Sequence, residues 1–319
     1  MSFKILSDFD GVWTDPVHEA DSVRALMVSE TARLAEQPLE LVAADYEAYR
    51  ALAMARPAEN GWAPPRWTGG RITAFVDEDP FCAGNAIAGV LGEVAQGAHE
   101  VAADLRERTC RYADRVLASA FGSGFESMSD FADHAFLSAT SAYRDEHPPA
   151  LVDGAADIAR ELIAAGVELV IVSNSGTDKI LDWFGKLGIP GHDAEGPEPD
   201  GDDSSIAVRG GAGKFILGDT DASLSVSGRT IYVDRPRYAS VIEAEAPDLV
   251  IGDVFSLDLA LPHHRRSAGA AHAPSELVLR RHDYTPAWSS EGRADGAIDH
   301  VIRDLGELVG LVAARLARG

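Results

Sequence analysis

Three short apolar runs, far apart in the chain, each end in polar residues that can perform chemistry. Residues 3–8 (FKILSD) end in an acid, residues 167–174 (VELVIVSN) end in Ser-Asn, and residues 249–253 (LVIGD) end in Gly-Asp. Short, continuous apolar runs of this kind are typical of strands that are buried on both faces of a parallel sheet. Because parallel strands open onto one ligand crevice at their carboxyl ends, we expect the polar residues to meet there.

The segments between these runs divide the chain into two predicted domains. From residue 150 onward, predicted strands alternate with predicted helices, an order that indicates a parallel α/β sheet. From about Val17 to Tyr143 the apolar spacing is mostly helical, with a period near 3.6. We therefore predict a parallel α/β core, residues 1–15 and 150–319, with an all-helical domain, residues 16–149, inserted after the first strand.

The remaining patterns of the core are weaker. Apolar residues from Ile298 to Leu316 predict one amphipathic helix at the end of the chain. The acidic segment 190–203 predicts a solvated loop, with a cation site as the alternative. In the helical insertion, residues 121–125 are consistent with either a hinge or a plain turn between helices. Further strands are predicted at residues 206–209, 230–233 and 277–279, and helices at residues 155–165 and 177–187.

Composition excludes several classes of protein. Of 319 residues, 46% are hydrophobic and 25% charged, as in ordinary globular proteins. No apolar run approaches the roughly 18–20 residues of a membrane helix, and the first ten residues lack the apolar stretch of a secretory signal. The chain has only two cysteines, Cys82 and Cys110, too few for a disulfide framework. We therefore expect a cytoplasmic protein.

The net charge of −23 limits the partners of the chain. This field repels phosphate backbones and anionic lipids, so we expect neither a nucleic acid nor a membrane as partner. A site that binds phosphate would need a local cation, and only four of the 28 basic residues are lysines. The sequence leaves the oligomeric state open, a homo-oligomer included.

Four acids stand where the first and third runs end. Asp8 and Asp10 lie two positions apart, so both side chains point to the same side of the strand end. Adjacent carboxylates repel each other unless a divalent cation or a shared proton intervenes; alternatively, this strand end is exposed and Asp10 begins a turn. Asp253 follows a glycine, and Asp258 lies five positions later. Carboxylate oxygens and waters are the ligands that Mg²⁺ takes, so these acids predict a magnesium site.

The order of the motifs, hhhDxDG, then hhhhSN, then hhhGDxxxxD with h apolar, closely resembles the haloacid dehalogenase superfamily. The resemblance covers residues 3–15 and 150–280, and the helical insertion resembles the C1-type cap of that superfamily. It implies a Rossmann-like sheet in which the three motif strands lie side by side, with a mobile helical lid. It also implies Mg²⁺ as cofactor and a small soluble phosphomonoester as substrate.

The roles of individual acids follow from the resemblance. Asp8 matches the nucleophile that becomes an aspartyl-phosphate, and Asp10 matches the general acid that protonates the leaving oxygen and then activates water. Mg²⁺ is implied to be held by the carboxylates of Asp8 and Asp253 and by the backbone carbonyl of Asp10. Asp258 matches a second acid that supports the metal site.

The middle motif is implied to bind the phosphate of the substrate. Ser173 matches the phosphate-binding hydroxyl, and Asn174 lies beside it. From the residues alone, the Ser173 hydroxyl could bind an oxyanion near the start of the following helix. The alternative is that Ser173 caps that helix or belongs to a turn.

The superfamily also has a fixed cation that binds the phosphate, and here this chain departs from the superfamily pattern. The superfamily has a lysine, often followed by proline, upstream of the Gly-Asp motif, where this chain has Arg235-Pro236-Arg237. We predict instead that Lys214, after the glycine turn GGAG, is this cation, with residues 218–233 as an inserted hairpin. Arg235 and Arg237 are the alternatives. Lys179, in the helix after the middle motif, is expected to be a surface charge.

Asp10 distinguishes between the branches of the superfamily. Its haloacid dehalogenases and phosphonatases lack an acid at this position, so the presence of Asp10 favours phosphate esters. The resemblance therefore predicts a Mg²⁺-dependent phosphatase that works through an aspartyl-phosphate. A phosphomutase or phosphotransferase of the same superfamily and a non-catalytic binding protein with the same fold are the alternatives.

Overall fold

The computed structural model describes residues 2–119, 125–196 and 205–318. The chain divides into two compact units. The first comprises Met1–Asp15 and Pro149–Gly319, and the second comprises Pro16–Pro148. In the described ranges, no helix has both the length and the apolar composition that crossing a membrane requires.

The elements of both units are numbered in chain order. The strands are β1 (Phe3–Ser7), β2 (Gly61–Trp62), β3 (Ala74–Phe75), β4 (Val167–Val172), β5 (Gly191–Asp193), β6 (Ile206–Arg209), β7 (Ser223–Val226), β8 (Arg229–Tyr232), β9 (Leu249–Gly252), β10 (Glu276–Arg280) and β11 (His300–Ile302). The helices of the second unit are α1 (Val17–Ala35), α2 (Leu39–Ala55), α3 (Pro65–Thr68), α4 (Pro80–Ala95), α5 (Ala103–Leu117) and α6 (Met128–Glu146). Those of the first are α7 (Ala155–Ala164), α8 (Thr177–Lys186), α9 (Pro236–Glu245), α10 (Ala260–Ser267), α11 (Ala287–Ser290), α12 (Arg293–Gly296) and α13 (Gly306–Leu316).

A seven-stranded parallel sheet in the order β11-β10-β9-β1-β4-β6-β5 forms the centre of the first unit. The predicted Rossmann-like α/β core is therefore confirmed. Strand β1 lies between β4 and β9, and Ile5 is paired with Leu169 on one side and with Leu249 on the other. All three side chains are buried, as the apolar runs predicted. The motif strands thus lie side by side.

Edge-to-face aromatic contacts attach helix α8 to the segment that follows β1. The ring of Phe9 lies 5.8 Å from that of Trp183 and 5.5 Å from that of Phe184, and Phe184 also contacts Trp13 at 5.5 Å. Such pairs add to the stability gained from buried apolar area. Because α8 follows the middle motif, these contacts fix the first two motifs relative to each other.

The prediction of a single helix from Ile298 to Leu316 is wrong in its first part. His300–Ile302 is the edge strand β11, and α13 begins only at Gly306. The side chain of Glu307 accepts hydrogen bonds from the backbone N–H groups of Arg303 and Asp304, both at 2.9 Å, which marks a helix start. The spacing of the apolar residues fits both structures, and pairing with β10 decides for a strand.

Two loop predictions fall partly on residues that the structure does not describe. In the acidic segment 190–203, Gly191–Asp193 forms strand β5 at the sheet edge, which corrects the prediction of a loop there. Residues 197–203 of that segment and residues 121–124 of the predicted hinge or turn lie outside the described residues. The predicted hairpin over 218–233 is confirmed, since β7 and β8 pair in antiparallel fashion within it.

The second unit is mainly helical, and α1, α2, α4, α5 and α6 surround one apolar core. Strands β2 and β3 form a two-stranded antiparallel ribbon that an all-helical prediction did not include. A buried carboxylate, Asp45, links α2 to α5, because it accepts two bonds of 2.7 Å from Arg108 and one of 2.8 Å from the Tyr112 hydroxyl. The C1-type cap role of this unit stays a prediction.

A second carboxylate of this unit is held by neutral partners. Asp133, on α6, accepts a hydrogen bond of 3.0 Å from the Asn85 amide and one of 3.4 Å from the Trp62 indole. Burial is the largest influence and raises the pKa of Asp133 to about 6, while both hydrogen bonds act in the opposite direction. The folded unit therefore binds a proton at Asp133 more tightly than the unfolded chain does.

We predict that Asp133 makes stability depend on pH. A carboxyl whose folded pKa is raised contributes its full stability below the unfolded pKa and loses it as the pH rises through about 6. Relative to Asp133→Asn, the wild type should lose about 1–3 kcal/mol of unfolding free energy between about pH 4 and pH 7. Urea unfolding at several pH values measures this difference. The exposed Asp145→Asn on the same helix is the control, and an equal pH profile in both variants would contradict the prediction.

Candidate active site

The carboxyl ends of β1, β4 and β9 bring the motif residues to one edge of the sheet. The backbone N–H of Asp8 donates to the carbonyl of Ile251 at 2.9 Å, so the pairing of β1 with β9 extends into the first motif. The backbone N–H of Ser173 likewise donates to the carbonyl of Arg209 at 3.1 Å. Asp8 and Ser173 are thus held by backbone hydrogen bonds to neighbouring strands, in addition to their side-chain contacts.

Lys214 lies between two carboxylates at this edge. Its Nζ is 2.7 Å from Oδ1 of Asp8 and 2.8 Å from Oδ1 of Asp258. Only 2% of the Lys214 side chain and 3% of the Asp258 side chain are exposed. The sequence offered three candidates for the fixed cation, and the structure brings Lys214 to Asp8.

The two arginine alternatives lie elsewhere. Arg235 is buried, and its guanidinium donates to the backbone carbonyls of Lys214 and Tyr232. Arg237 is exposed on the first turn of α9. Arg235 therefore holds the backbone at Lys214 in place.

The loop that carries Lys214 is attached to the middle motif. The backbone N–H of Lys214 donates to Oδ1 of Asn174 at 2.8 Å, and the N–H of Ala212 donates to the carbonyl of Ser173 at 2.9 Å. Gly213 has a φ of +61°, which glycine adopts without strain. The GGAG turn thereby directs the Lys214 side chain towards Asp8.

Burial and like charge perturb the ionisation of this group. Burial, followed by the repulsion from Asp258, raises the pKa of Asp8 to about 8, although Lys214 acts in the opposite direction. Burial alone would lower the pKa of Lys214, but the charges of Asp258 and Asp8 outweigh it and raise the pKa above its usual range. The lysine is therefore the charge that lets the two carboxylates lie close together.

Asp258 reaches the site through a π-helical turn, Phe255–Leu259, which is a common feature of functional sites. Its Oδ2 accepts the N–H of Val254 at 3.1 Å, while its Oδ1 accepts from Lys214. A Cβ on Gly252 would lie 2.3 Å from the Cβ of Asp258. The glycine and the second acid of the GDxxxxD motif are therefore required together.

Asp253 faces the turn that follows β1. A Cβ on Gly11, whose φ is +79°, would lie 2.0 Å from Oδ2 of Asp253, so only glycine fits this position. The Tyr284 hydroxyl donates to the same Oδ2 at 2.8 Å, and the Tyr284 ring stacks on His282 with centroids 4.8 Å apart. Nε2 of His282 lies 2.5 Å from the carbonyl oxygen of Gly11. The segment after β10 thus supports both acidic motifs.

Asp8, Asp253 and Asp258 form the potential metal site among the described residues. One carboxylate oxygen from each lies within 4.8 Å of the others. Three carboxylates are a hard oxygen donor set, which fits Mg²⁺. Because both oxygens of Asp258 already accept hydrogen bonds, Asp8 and Asp253 are the better candidates for direct ligands.

The prediction that Lys179 is a surface charge is wrong. Its side chain is only 8% exposed, and its Nζ lies 3.1 Å from Oδ1 of Asp10. Ser175 donates to the other oxygen of Asp10 at 2.6 Å, and Ser173 does so at 3.4 Å. Sequence reasoning missed Ser175, Lys179 and Tyr284 as parts of the site. The scarcity of lysine was the one signal that could have indicated Lys179.

The central position of β1 between β4 and β9 is the strand arrangement that the resemblance implies. No protein-family model and no curated protein matches the chain. Among solved structures, it is similar to a protein described as the HAD-hydrolase YfnB from Bacillus subtilis bound to magnesium, with 13% identity and a TM-score of 0.42 over 98% of this chain and 99% of that one. It is also similar to CbbY from Rhodobacter sphaeroides in complex with phosphate, with 15% identity and a TM-score of 0.41 over 97% and 96%. A third similar structure is a 2-haloacid dehalogenase from Pseudomonas syringae pv. Tomato. It has 14% sequence identity and a TM-score of 0.39, over 98% of this chain and 99% of that one.

We predict that Lys214→Met destabilises the first unit by about 3–5 kcal/mol, because it leaves buried carboxylates without their cation. Urea unfolding measures the loss. Adding Asp258→Asn to this variant should restore part of the stability, since it removes one of the two like charges. Lys186→Met, which removes an exposed partner of Asp182, should change stability by less than about 0.5 kcal/mol. A loss in Lys214→Met no larger than in this control would contradict the prediction.

Proposed function

We propose that the protein is a Mg²⁺-dependent phosphatase that hydrolyses a small soluble phosphomonoester. The observation that carries the proposal is the Asp8 carboxylate, which lies 2.7 Å from a buried ammonium group and beside two further carboxylates at the centre of the sheet edge. A carboxylate becomes an effective nucleophile towards an anionic phosphoryl group only where positive charge offsets the repulsion.

The chemistry proceeds in two steps. An Asp8 oxygen attacks phosphorus, the ester P–O bond breaks, and Asp10 transfers a proton to the leaving oxygen. Water then attacks phosphorus of the aspartyl-phosphate and gives a proton to Asp10, so Asp8 is released as a carboxylate together with inorganic phosphate. Lys214 pairs with the phosphoryl oxygens during transfer and holds them in line.

Mg²⁺ would be held by the carboxylates of Asp8 and Asp253 and by the backbone carbonyl of Asp10. When bound, it neutralises charge on the phosphoryl group. Asp258 supports the site indirectly, since its oxygens accept bonds from Lys214 and from the Val254 N–H. This arrangement agrees with the role that the resemblance implies for each of these acids.

The middle motif would supply the remaining phosphate contacts. Ser173 is buried beside Asp10, and its hydroxyl accepts the N–H of Ser175 at 3.0 Å. Its single proton is directed at Oδ2 of Asp10 at 3.4 Å, and on substrate binding this proton would be donated to an oxyanion instead. Asn174 uses its side-chain carbonyl for Lys214, which leaves its NH₂ group for phosphate. Both residues therefore combine a structural contact with a donor group.

Asp10 favours phosphate esters over the dehalogenase chemistry of the same superfamily. A halide leaves without protonation, whereas the alkoxide of an alkyl phosphate needs a proton. A phosphomutase or phosphotransferase differs in the acceptor of the second step. Trapping the aspartyl-phosphate and testing whether water or a sugar accepts the phosphoryl group would distinguish these alternatives from a phosphatase.

We predict that Asp8→Asn lowers the turnover of a broad panel of phosphomonoesters, p-nitrophenyl phosphate included, by at least about 1,000-fold, because it removes the nucleophile while it keeps the shape of the side chain. Phosphate release measures the loss, and circular dichroism checks the fold. Asp182→Asn, which changes an exposed carboxylate on α8, is the matched control. Near wild-type turnover in Asp8→Asn would refute the role of Asp8 as nucleophile. If the wild type hydrolyses no ester of the panel, the proposed phosphatase function is wrong.

We predict that a chelator abolishes activity, that Mg²⁺ restores it, and that Ca²⁺ restores it poorly, since Ca²⁺ is larger and less strictly octahedral. Asp253→Ala should raise the Mg²⁺ concentration for half-maximal binding by at least about 100-fold, because loss of a direct ligand should exceed the effect of losing a supporting group. Calorimetric titration measures binding without turnover. The exposed neighbour Asp283→Ala is the control. Full activity in chelator, or equal Mg²⁺ affinity in both variants, would exclude this metal site.

A further inference from the structure

Both oxygens of the Asp10 carboxylate are held by the segment that follows β4. Lys179 Nζ lies 3.1 Å from Oδ1, and the Ser175 hydroxyl donates to Oδ2 at 2.6 Å. Lys179 also donates to the Ser175 oxygen at 3.2 Å, which closes a three-membered network. The direction of the Asp10 carboxylate is therefore set by two side chains that no motif includes.

The Lys179 side chain has little freedom to leave this position. Its Nζ lies 4.9 Å from the centre of the Trp183 ring and 6.0 Å from that of Phe9, both of which belong to the core of the sheet unit. A cation over an aromatic face is attracted to it, more strongly when water is excluded. The aromatic contacts that attach α8 to β1 therefore also fix the ammonium group beside Asp10.

The position of Lys179 in the helix explains its reach. It lies in the first turn of α8, and long side chains in a helix point back towards its N-terminus. Ser175 precedes the helix by two residues and lies four positions before Lys179. The helix start thus presents both donors to the same carboxylate.

We propose that Lys179, assisted by Ser175, is a positioning residue that aims the Asp10 carboxylate at the leaving oxygen of the substrate. The inference rests on the proposed phosphatase function. A proton donor works only within hydrogen-bond reach and in a defined direction, so a carboxyl group free to rotate would protonate the leaving group less often. Lys214 would then hold the nucleophile Asp8, and Lys179 would hold the general acid Asp10.

The test compares two esters in the variant Lys179→Met. An alkyl phosphate needs protonation of its leaving oxygen, whereas p-nitrophenolate leaves without it. We expect kcat/KM to fall by about 10–100-fold for the alkyl ester and by at most about threefold for the nitrophenyl ester. Because kcat/KM covers only the steps up to phosphoryl transfer, the later attack of water does not affect the comparison.

Three further variants separate positioning from loss of structure. Ser175→Ala should show the same selectivity in weaker form, and Ser175→Thr, which keeps the hydroxyl, should recover the alkyl ester activity. Lys186→Met, which changes an exposed lysine on the same helix, should leave both esters unaffected. Equal losses for both esters in Lys179→Met, or no loss for either, would overturn the proposal.

A second measurement requires no turnover. In a crystal structure of Lys179→Met, the Asp10 carboxylate should have rotated away from Ser175. If it keeps its present position with both bonds to Ser175 and Ser173, Lys179 does not position it and the inference is wrong. If Asp10 moves but the wild type hydrolyses no phosphomonoester, the proposed function has failed instead.

Discussion

The ammonium group of Lys214, buried between Asp8 and Asp258, is the interaction on which the edge of the sheet depends. A chain with a net charge of −23 brings several carboxylates to the ends of adjacent strands, where burial and mutual repulsion both oppose ionisation. One buried cation offsets this cost, provided that it is held in place. The surroundings hold it: Asn174 and Arg235 bind the Lys214 backbone, and the ring of Tyr238 lies 5.5 Å from its Nζ.

The groups around Asp8 and Asp10 are built on opposite sides of β1. Towards β9, the π-helical turn, Gly252 and Tyr284 fix Asp258 and Asp253. Towards β4, the start of α8 fixes Asp10 through Ser175 and Lys179. Lys214 also comes from this side, because its loop follows β6, the neighbour of β4, so both lysines reach the first motif from the β4 side. These supports on both sides are available because β1 is an interior strand of the sheet, with β9 on one side and β4 on the other.

Elements that are set by residues close together in the sequence were predictable. Elements and contacts that are set by residues far apart in the sequence were not. The buried strands and the hairpin after Lys214 follow from apolar runs and turn residues, which act within a few positions. The residues from Ile298 to Ile302 have a spacing that suits a helix, but hydrogen bonding to β10 makes His300–Ile302 a strand. Lys179 has the spacing of an ordinary helical surface lysine, and only the packing of α8 against Phe9, through its own Trp183, buries it beside Asp10.

The sequence by itself determined the α/β class and the acids that end β1 and β9, because apolar runs and their polar ends are local properties of the chain. Only the tertiary structure decided which cation reaches Asp8, since Lys214, Arg235 and Arg237 all carry a positive charge and differ in where the backbone directs them. The same holds for Tyr284, which lies 31 positions from Asp253 and donates to it only because β10 is paired with β9. A contact between residues so far apart in sequence leaves no periodicity to read, because it forms only when the strands pair.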